Sequence, residues 1–152
     1  MIELRLDEIR VSTAGDPPLV VLKECEGERR LPIWTSFEGA ATVVAVTEAR
    51  DDESPGLLDV VAELVAEFGV KLESVHIVSH YEGRFFAQLV VAGREIGCKP
   101  TDAIALALRT QVPIRCPEQL LREVGVLPEP AKEVERFREF LETVDPTDFE
   151  EL

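Results

Sequence analysis

The sequence is poor in the side chains that most often carry catalysis or metal binding. Its 152 residues include two histidines, one tyrosine, one tryptophan and three cysteines, with no Cys-x-x-Cys pair. Three scattered cysteines exclude a standard zinc knuckle and argue against a disulfide framework, so we expect buried free thiols at Cys25, Cys98 and Cys116. The sequence also lacks a Gly-rich phosphate loop, a nucleophile elbow and a His-Glu-x-x-His motif.

Long apolar runs are also missing. The longest, residues 103–108, is far too short to cross a bilayer. Residues 1–11 alternate like a strand and do not resemble a targeting leader. We therefore predict a soluble, cytoplasmic protein without a membrane partner.

Positive charge is scarce. Thirty Asp and Glu residues against sixteen Lys and Arg residues give a net charge of −14, and residues 117–152 carry half of that excess. Such a chain repels phosphate backbones at long range, so we expect no nucleic-acid binding through a basic patch. An enzyme acting on nucleic acid tolerates this charge if its cleft is locally neutral or holds a metal ion.

The hydrophobic periodicity predicts an α+β fold, a mainly antiparallel mixed sheet packed by apolar helices, with a C-terminal helical extension. Strands are indicated near 2–11, 19–22, 29–34, 75–80, 84–91 and 94–99, with a short edge strand at 112–114. Helices are indicated after Ser36, from Pro55 to Gly69, over 103–108, from Pro117 to about Val124 and over 131–144. The expected division is a domain over 1–124, then a linker, an amphipathic helix and an acidic tail over 125–152.

His76 and His80 are both predicted to lie on one strand. Four residues of strand separate them by roughly 13 Å, so they would share a face of the sheet without being able to chelate one ion. We interpret both as ordinary strand residues.

Three carboxylates fall near predicted helix starts: Glu38, Asp59 and Asp102. One interpretation is structural, because acidic side chains near helix N-termini satisfy free N–H groups and complement the helix dipole. The other is functional, because converging carboxylates hold a divalent cation that polarises a phosphodiester and activates water. The spacing alone leaves both interpretations open.

Several segments resemble one known family, the bifunctional nuclease domain family of bacteria and plants. LPIW at 31–34, followed by EGA at 38–40, is similar to the family's Leu-Pro-Ile-Trp-Ile-Gly…Glu-Ala block. KPTDAIALA at 99–107, followed by VPI at 112–114, resembles its Arg-Pro-Ser-Asp-Ala-Ile-Ala-Leu-Ala motif. FFA at 85–87 and FREFL…DPTDF at 137–149 are also similar to family segments, and the likeness runs in order along the chain.

One motif departs from the family. Family members usually carry Arg-Pro-x-Thr-His-Asp-Leu before the second helix, where this chain has SPGLLDV at 54–60. The arginine, threonine and histidine are replaced by Ser54, Leu57 and Leu58, whereas Asp59 remains. Lys99 replaces the later motif's arginine, which keeps the charge but loses the bidentate fork suited to phosphate.

The resemblance implies a nuclease acting on RNA and DNA, with Glu38, Asp59, Lys99 and Asp102 as candidate catalytic residues. It also implies a possible metal requirement, Mg²⁺ or Mn²⁺, with Asp59 and Asp102 as the candidate ligands. The alternative is a non-catalytic, dimeric binding or regulatory protein on the same scaffold. We expect a homo-oligomer, most simply a two-fold dimer, because the apolar stripe of the predicted helix over 131–144 needs a partner surface or must fold back onto its own domain.

Overall fold

The computed structural model describes residues 1–12, 14–48 and 55–127. The predicted helix over 131–144 and the acidic tail lie outside the described residues, as does Ser54. The described elements, in chain order, are β1 (Ile2–Arg10), β2 (Leu19–Glu24), β3 (Arg30–Trp34), α1 (Phe37–Thr47), α2 (Leu57–Glu67), β4 (Leu72–Tyr81), β5 (Arg84–Val91), β6 (Arg94–Cys98), α3 (Pro100–Thr110), β7 (Ile114–Cys116) and α4 (Glu118–Val124).

The strands form one seven-stranded mixed sheet in the order β3-β2-β1-β7-β4-β5-β6. Every pairing is antiparallel except the β4–β7 pair, which is parallel. The predicted α+β class, with a mainly antiparallel mixed sheet, is confirmed. The pairing of β1 with β2 contains one register shift, between Leu6 and Glu8.

The position predicted for the last strand is wrong. β7 lies in the middle of the sheet, between β1 and β4, and not at an edge. Pro113 precedes the strand, so its missing N–H group removes no bond from the ladder, and its carbonyl accepts the N–H of Val75 at 3.0 Å.

The apolar residues over 37–46 predict that α1 is central to the core, but the helix with that position is α3. Six of its eleven residues are buried, including Ile104 and Leu106. α1 buries only Gly39, Ala40 and Val43, and Phe37 at its start is exposed. α3 therefore forms the centre of the helical layer, with α1 and α2 packed against it.

Helix α2 begins later than predicted. Gly56 is its N-cap, so Pro55 lies outside the helix and does not occupy its first position. Gly69 follows the C-cap Phe68 with a φ of +68°, which is the left-handed conformation that ends helices and favours glycine. No residue of α2 is fully buried, so this helix lies on the outside of the helical layer.

Candidate functional site

The first turn of α1 is positioned by its N-cap. Ser36 has an extended backbone, and its Oγ accepts a hydrogen bond from the Gly39 N–H at 3.0 Å, as predicted from the sequence. Glu38 lies in this first turn and is exposed to solvent. Its carboxylate is therefore free to meet a ligand from outside.

The start of α3 corrects one prediction. The sequence predicts a helix that begins at Ala103, with Thr101 and Asp102 as its capping residues, but α3 begins at Pro100 and Lys99 is its N-cap. The reason is that proline fixes φ near the helical value and loses no intrahelical bond at the first position. Lys99 is exposed and makes no side-chain cap hydrogen bond, while Asp102 is half-buried inside the first turn.

The first turns of α1 and α3 lie against each other at Gly39. A β-carbon built at Gly39 would lie 2.7 Å from Oγ1 of the buried Thr101 and would also collide with Oγ1 of Thr35. Only a residue without a side chain permits this approach. Through it, the helix starts that carry Glu38 and Asp102 become neighbours.

Asp59 lies elsewhere, at the other end of α3. Its Oδ1 accepts a hydrogen bond from Nε of Arg109 at 2.6 Å, and its Oδ2 accepts the Gly56 N–H at 3.0 Å. Arg109 is in the last turn of α3, seven residues after Asp102, which corresponds to about 10.5 Å of helix rise. Of the four predicted residues, the structure therefore places Glu38, Lys99 and Asp102 on neighbouring turns and Asp59 in an ion pair apart from them.

A groove of about 590 Å³ follows the outer side of α2. It is bordered by Asp59 and Arg109, and further along the helix by Glu63 and Glu67. Glu38, Lys99 and Asp102 are not among its lining residues. The groove is acidic on one side, and Arg109 is the only cation among the described residues that border it.

The predicted metal pair of Asp59 and Asp102 is not brought together as a ready ligand cluster. Within 1–12, 14–48 and 55–127, no three His, Cys, Asp or Glu side chains form a group that could hold a metal ion. Metal binding by this pair stays a prediction.

The histidines are ordinary strand residues, but they do not share a face. A register shift between Ile77 and Ser79 places His76 opposite Gln88 and His80 opposite Phe85. Since residues 85 and 88 point to opposite faces of β5, the two histidines do as well. His76 bonds the Ser74 hydroxyl at 3.1 Å, and its pKa is lowered by burial and by the nearby Arg115 charge.

All three cysteines are free thiols, as expected, although only Cys116 is buried and Cys25 is exposed. Burial raises the pKa of Cys116 to about 11. Burial also raises the pKa of Cys98, and the Asp102 carboxylate adds to that effect.

Two arginines that matter for this arrangement were missed from the sequence. Arg109 binds Asp59 across fifty positions, and Arg29 binds both Glu24 and Glu118 through its guanidinium at 2.7–3.0 Å. No local pattern marks Asp59 as the partner of Arg109 or Glu118 as a partner of Arg29, because these pairs join elements that are distant along the chain. Glu24, in contrast, lies only five residues before Arg29.

The mixed sheet and the neighbouring starts of α1 and α3 define an α+β domain. Comparison with known sequences assigns this domain to a family. The bifunctional nuclease domain profile matches residues 20–129, which is most of the chain. The chain is also 35% identical, over 97% of both chains, to the "Uncharacterized protein Rv1829" of Mycobacterium tuberculosis strain ATCC 25618 / H37Rv. The "Uncharacterized protein MT1877" of strain CDC 1551 / Oshkosh of the same species gives the same identity and coverage.

This chain belongs to the bifunctional nuclease domain family. No helix in the described ranges is long and apolar enough to span a membrane.

Proposed function

We propose that this protein is a nuclease of low activity that hydrolyses phosphodiester bonds in RNA or DNA at the neighbouring first turns of α1 and α3. The observation that carries the proposal is the family match over residues 20–129. The close packing at Gly39 supports it, because it brings together Glu38, Lys99 and Asp102, three residues of the motifs through which the sequence resembles the family.

The chemistry of these turns suits a phosphodiester. The exposed Lys99 ammonium and the free N–H groups at the start of α3 would stabilise negative charge on phosphate oxygens. Lys99 does so as a point charge, without the bidentate geometry of arginine. Asp102 and Glu38 supply carboxylates that accept hydrogen bonds or a proton from an attacking water.

The two carboxylates suit the coordination that Mg²⁺ usually has in proteins, in which one or two carboxylates bind the ion and several waters remain bound to it. When bound, such a cation would polarise the phosphodiester and lower the pKa of a bound water. The residues that would hold it are Asp102 and Glu38. A contribution from Asp59 requires that Asp59 first release Arg109.

The low rate of cleavage that we propose is explained by a residue of α2. Leu58 stands where the family motif has histidine, and its side chain packs against the core, where it cannot act as a general base. Loss of one positioned general base typically lowers a rate by about 10²–10⁴-fold.

The test is a cleavage assay of the full chain on single-stranded and double-stranded RNA and DNA, with and without Mg²⁺ or Mn²⁺. We expect slow cleavage that is lost in Asp102→Ala and in Lys99→Ala. Glu123→Ala, at an exposed position of α4, is a matched carboxylate control that should retain the wild-type rate. Cleavage that survives Asp102→Ala at the wild-type rate would remove this residue from the site.

A gain-of-function variant tests the reason for the low rate. Restoring the family motif with Ser54→Arg, Leu57→Thr and Leu58→His should raise the rate above that of the wild type. Robust metal-dependent cleavage by the wild type, with no gain in the variant, would show that the missing histidine does not limit this enzyme.

A second candidate function is a non-catalytic, dimeric binding or regulatory protein on the same scaffold. Two observations favour it: Arg109 occupies Asp59, and Leu58 contributes to packing where the family motif has a base. The net charge of −14 also opposes passive binding of nucleic acid. This candidate predicts no cleavage in any of the assays above, together with a dimer mass by light scattering.

A further inference from the structure

Strand β6 forms one edge of the sheet, and no strand among the described residues pairs with its outer side. Residues 94–97 are all exposed, and the apolar side chain of Ile96 is 51% exposed. The outer side of an edge strand offers unpaired N–H and C=O groups to any strand that lies beside it. β6 is therefore a surface to which another strand can bind.

The opposite edge of the sheet is protected. Pro32 lies within β3 and has no N–H group to offer to a further strand. Arg30 and Val126 also exchange two backbone hydrogen bonds of 2.7 and 2.8 Å, so the chain after α4 covers the start of β3. β6 has neither feature, since it contains no proline and pairs with β5 from Arg94 to Cys98 without a register shift. Of the two edges, β6 is the one that remains able to pair.

The apolar row of α2 lies on the same flank of the molecule as β6. α2 covers β4 and β5, because the cavity beneath it is bordered by Leu72 and Leu89, and none of the residues that border this cavity belongs to β1 or β7. Ala66 faces α3, since it borders the same cavity together with the second half of α3. At about 100° per residue, Leu64 and Phe68 point roughly 160° away from Ala66. These two side chains, 52% and 79% exposed, therefore face away from α3, towards the side of the sheet that ends at β6.

The sequence of this edge is complementary to itself in the antiparallel direction. Lys99, the N-cap of α3, still has an extended backbone, so the surface available for pairing runs from Glu95 to Lys99. When a second copy lies antiparallel with Gly97 on the two-fold axis, Glu95 stands opposite the partner subunit's Lys99. Ile96 then stands opposite the partner subunit's Cys98, and no like charges face each other. Pairs of opposite charge and pairs of apolar side chains are the cross-strand contacts that stabilise antiparallel strands.

A second copy of this chain also fits the rest of the flank. A two-fold interface uses the same patch on both subunits, and an edge strand paired with its own copy meets this condition. The exposed rows of the two α2 helices then lie on the same side of the joined sheets. Glu63 and Glu67 border the groove on the outer side of α2, so they stay at the solvent-exposed rim, where salt screens their repulsion.

We propose that two copies of this chain form a dimer through antiparallel pairing of their β6 strands, which joins the two seven-stranded sheets into one. The two-fold axis passes beside Gly97, and Glu95 of each subunit binds the partner subunit's Lys99. An ammonium group has three N–H donors, so Lys99 can bind this carboxylate and still donate to a phosphate oxygen. The dimer itself does not depend on the proposed cleavage activity.

The first experiment measures the mass of the full chain by light scattering over a range of micromolar concentrations, together with hydrogen exchange of the β6 amides. The variant is Ile96→Lys, because a lysine on an edge strand opposes pairing. The matched control is Val11→Lys, at a residue that is 59% exposed and directly follows β1. We expect a wild-type dimer. In Ile96→Lys the concentration at which half of the dimer dissociates should rise at least about tenfold, and the β6 amides should exchange faster.

The far-ultraviolet circular dichroism of Ile96→Lys should match that of the wild type, which shows that the variant dissociates without unfolding. Val11→Lys should keep the wild-type mass and the wild-type exchange of β6. A wild type that is monomeric over the whole range would overturn the proposal. So would an Ile96→Lys protein that dissociates at the wild-type concentration, because the dimer would then use another surface.

A charge exchange tests the register. Glu95→Lys sets two lysines opposite each other and should raise the dissociation concentration. Adding Lys99→Glu restores a pair of opposite charges and should return that concentration towards the wild-type value. A double variant that dissociates as readily as Glu95→Lys would contradict the pairing of Glu95 with the partner subunit's Lys99. Loss of cleavage without a change in mass bears on the proposed function and leaves the interface in place.

Discussion

The contact at Gly39 can be tested by adding a single methyl group. In Gly39→Ala, the new β-carbon would lie 2.7 Å from Oγ1 of Thr101 and still closer to Oγ1 of Thr35. Thr101 is buried, so its side chain cannot swing into solvent, and the two first turns must move apart. We expect overpacking to cost about 3 kcal/mol, the upper end of its usual range. Alanine's better helix propensity returns at most about 1 kcal/mol, which leaves a net loss of about 2 kcal/mol.

Urea unfolding of the full chain, followed by far-ultraviolet circular dichroism, measures this loss. Gly97→Ala is the matched control, because a β-carbon there has no neighbour within 4 Å and the φ of Gly97 lies outside the left-handed range that favours glycine. The double variant Gly39→Ala with Thr101→Ala removes one of the colliding oxygens and should recover part of the loss. A Gly39→Ala protein as stable as the wild type, or a double variant with no recovery, would refute the close approach of the two turns.

Two further predictions concern titratable groups. The Arg29 guanidinium lowers the pKa of Glu24 from 4.5 and also that of Glu118, so both carboxylates stabilise the fold above their unfolded pKa. That stability should be lost as the pH falls below about 4.5 through the lowered values, and acid titration of unfolding should show a shallower loss in Arg29→Met. Among the thiols, the exposed Cys25 should react first with a maleimide. Cys116 is buried and has a pKa of about 11, so it should react only on unfolding. Mass spectrometry of the labelled peptides checks this order.

The elements that the sequence predicted well are those with strong local signals. Ser36 caps α1, and Gly69 ends α2 with a positive φ, because both effects act within one helical turn. The strand pairs β2–β3 and β5–β6 also follow from alternation and short turns. Interactions between residues that are close in sequence determine these features, so they can be predicted without knowledge of the rest of the fold.

Features that depend on distant parts of the chain were predicted poorly. β7 is central because its neighbours are β1 and β4, and nothing within residues 112–116 encodes that order. The register shift after Ile77, which separates the faces of His76 and His80, leaves no mark in the apolar pattern. In the candidate site, the family likeness predicts Glu38, Asp59, Lys99 and Asp102, but only the packing of α2 against α3 shows that Arg109 is the partner of Asp59.

That ion pair allows the role of Asp59 to be decided. Its carboxylate is bound by Arg109 at 2.6 Å and by the Gly56 N–H at 3.0 Å, so the geometry supports a structural role at the start of α2. The side chains of Arg109 and Asp59 are 55% and 35% exposed, so their interaction should contribute no more than about 1 kcal/mol. We expect Asp59→Asn and Arg109→Ala to lower stability by similar small amounts, with a double-mutant coupling of roughly 0.5 kcal/mol.

The cleavage assay separates this structural role from a catalytic one. If Asp59 only anchors α2, neither variant changes the rate of cleavage relative to the wild type. If Asp59 is a catalytic residue that Arg109 blocks, Arg109→Ala should free its carboxylate and raise the rate of cleavage. Asp59→Asn should then abolish cleavage, although it lowers the unfolding midpoint no more than Arg109→Ala does. The second pattern would contradict the structural role and return Asp59 to the site formed by Glu38, Lys99 and Asp102.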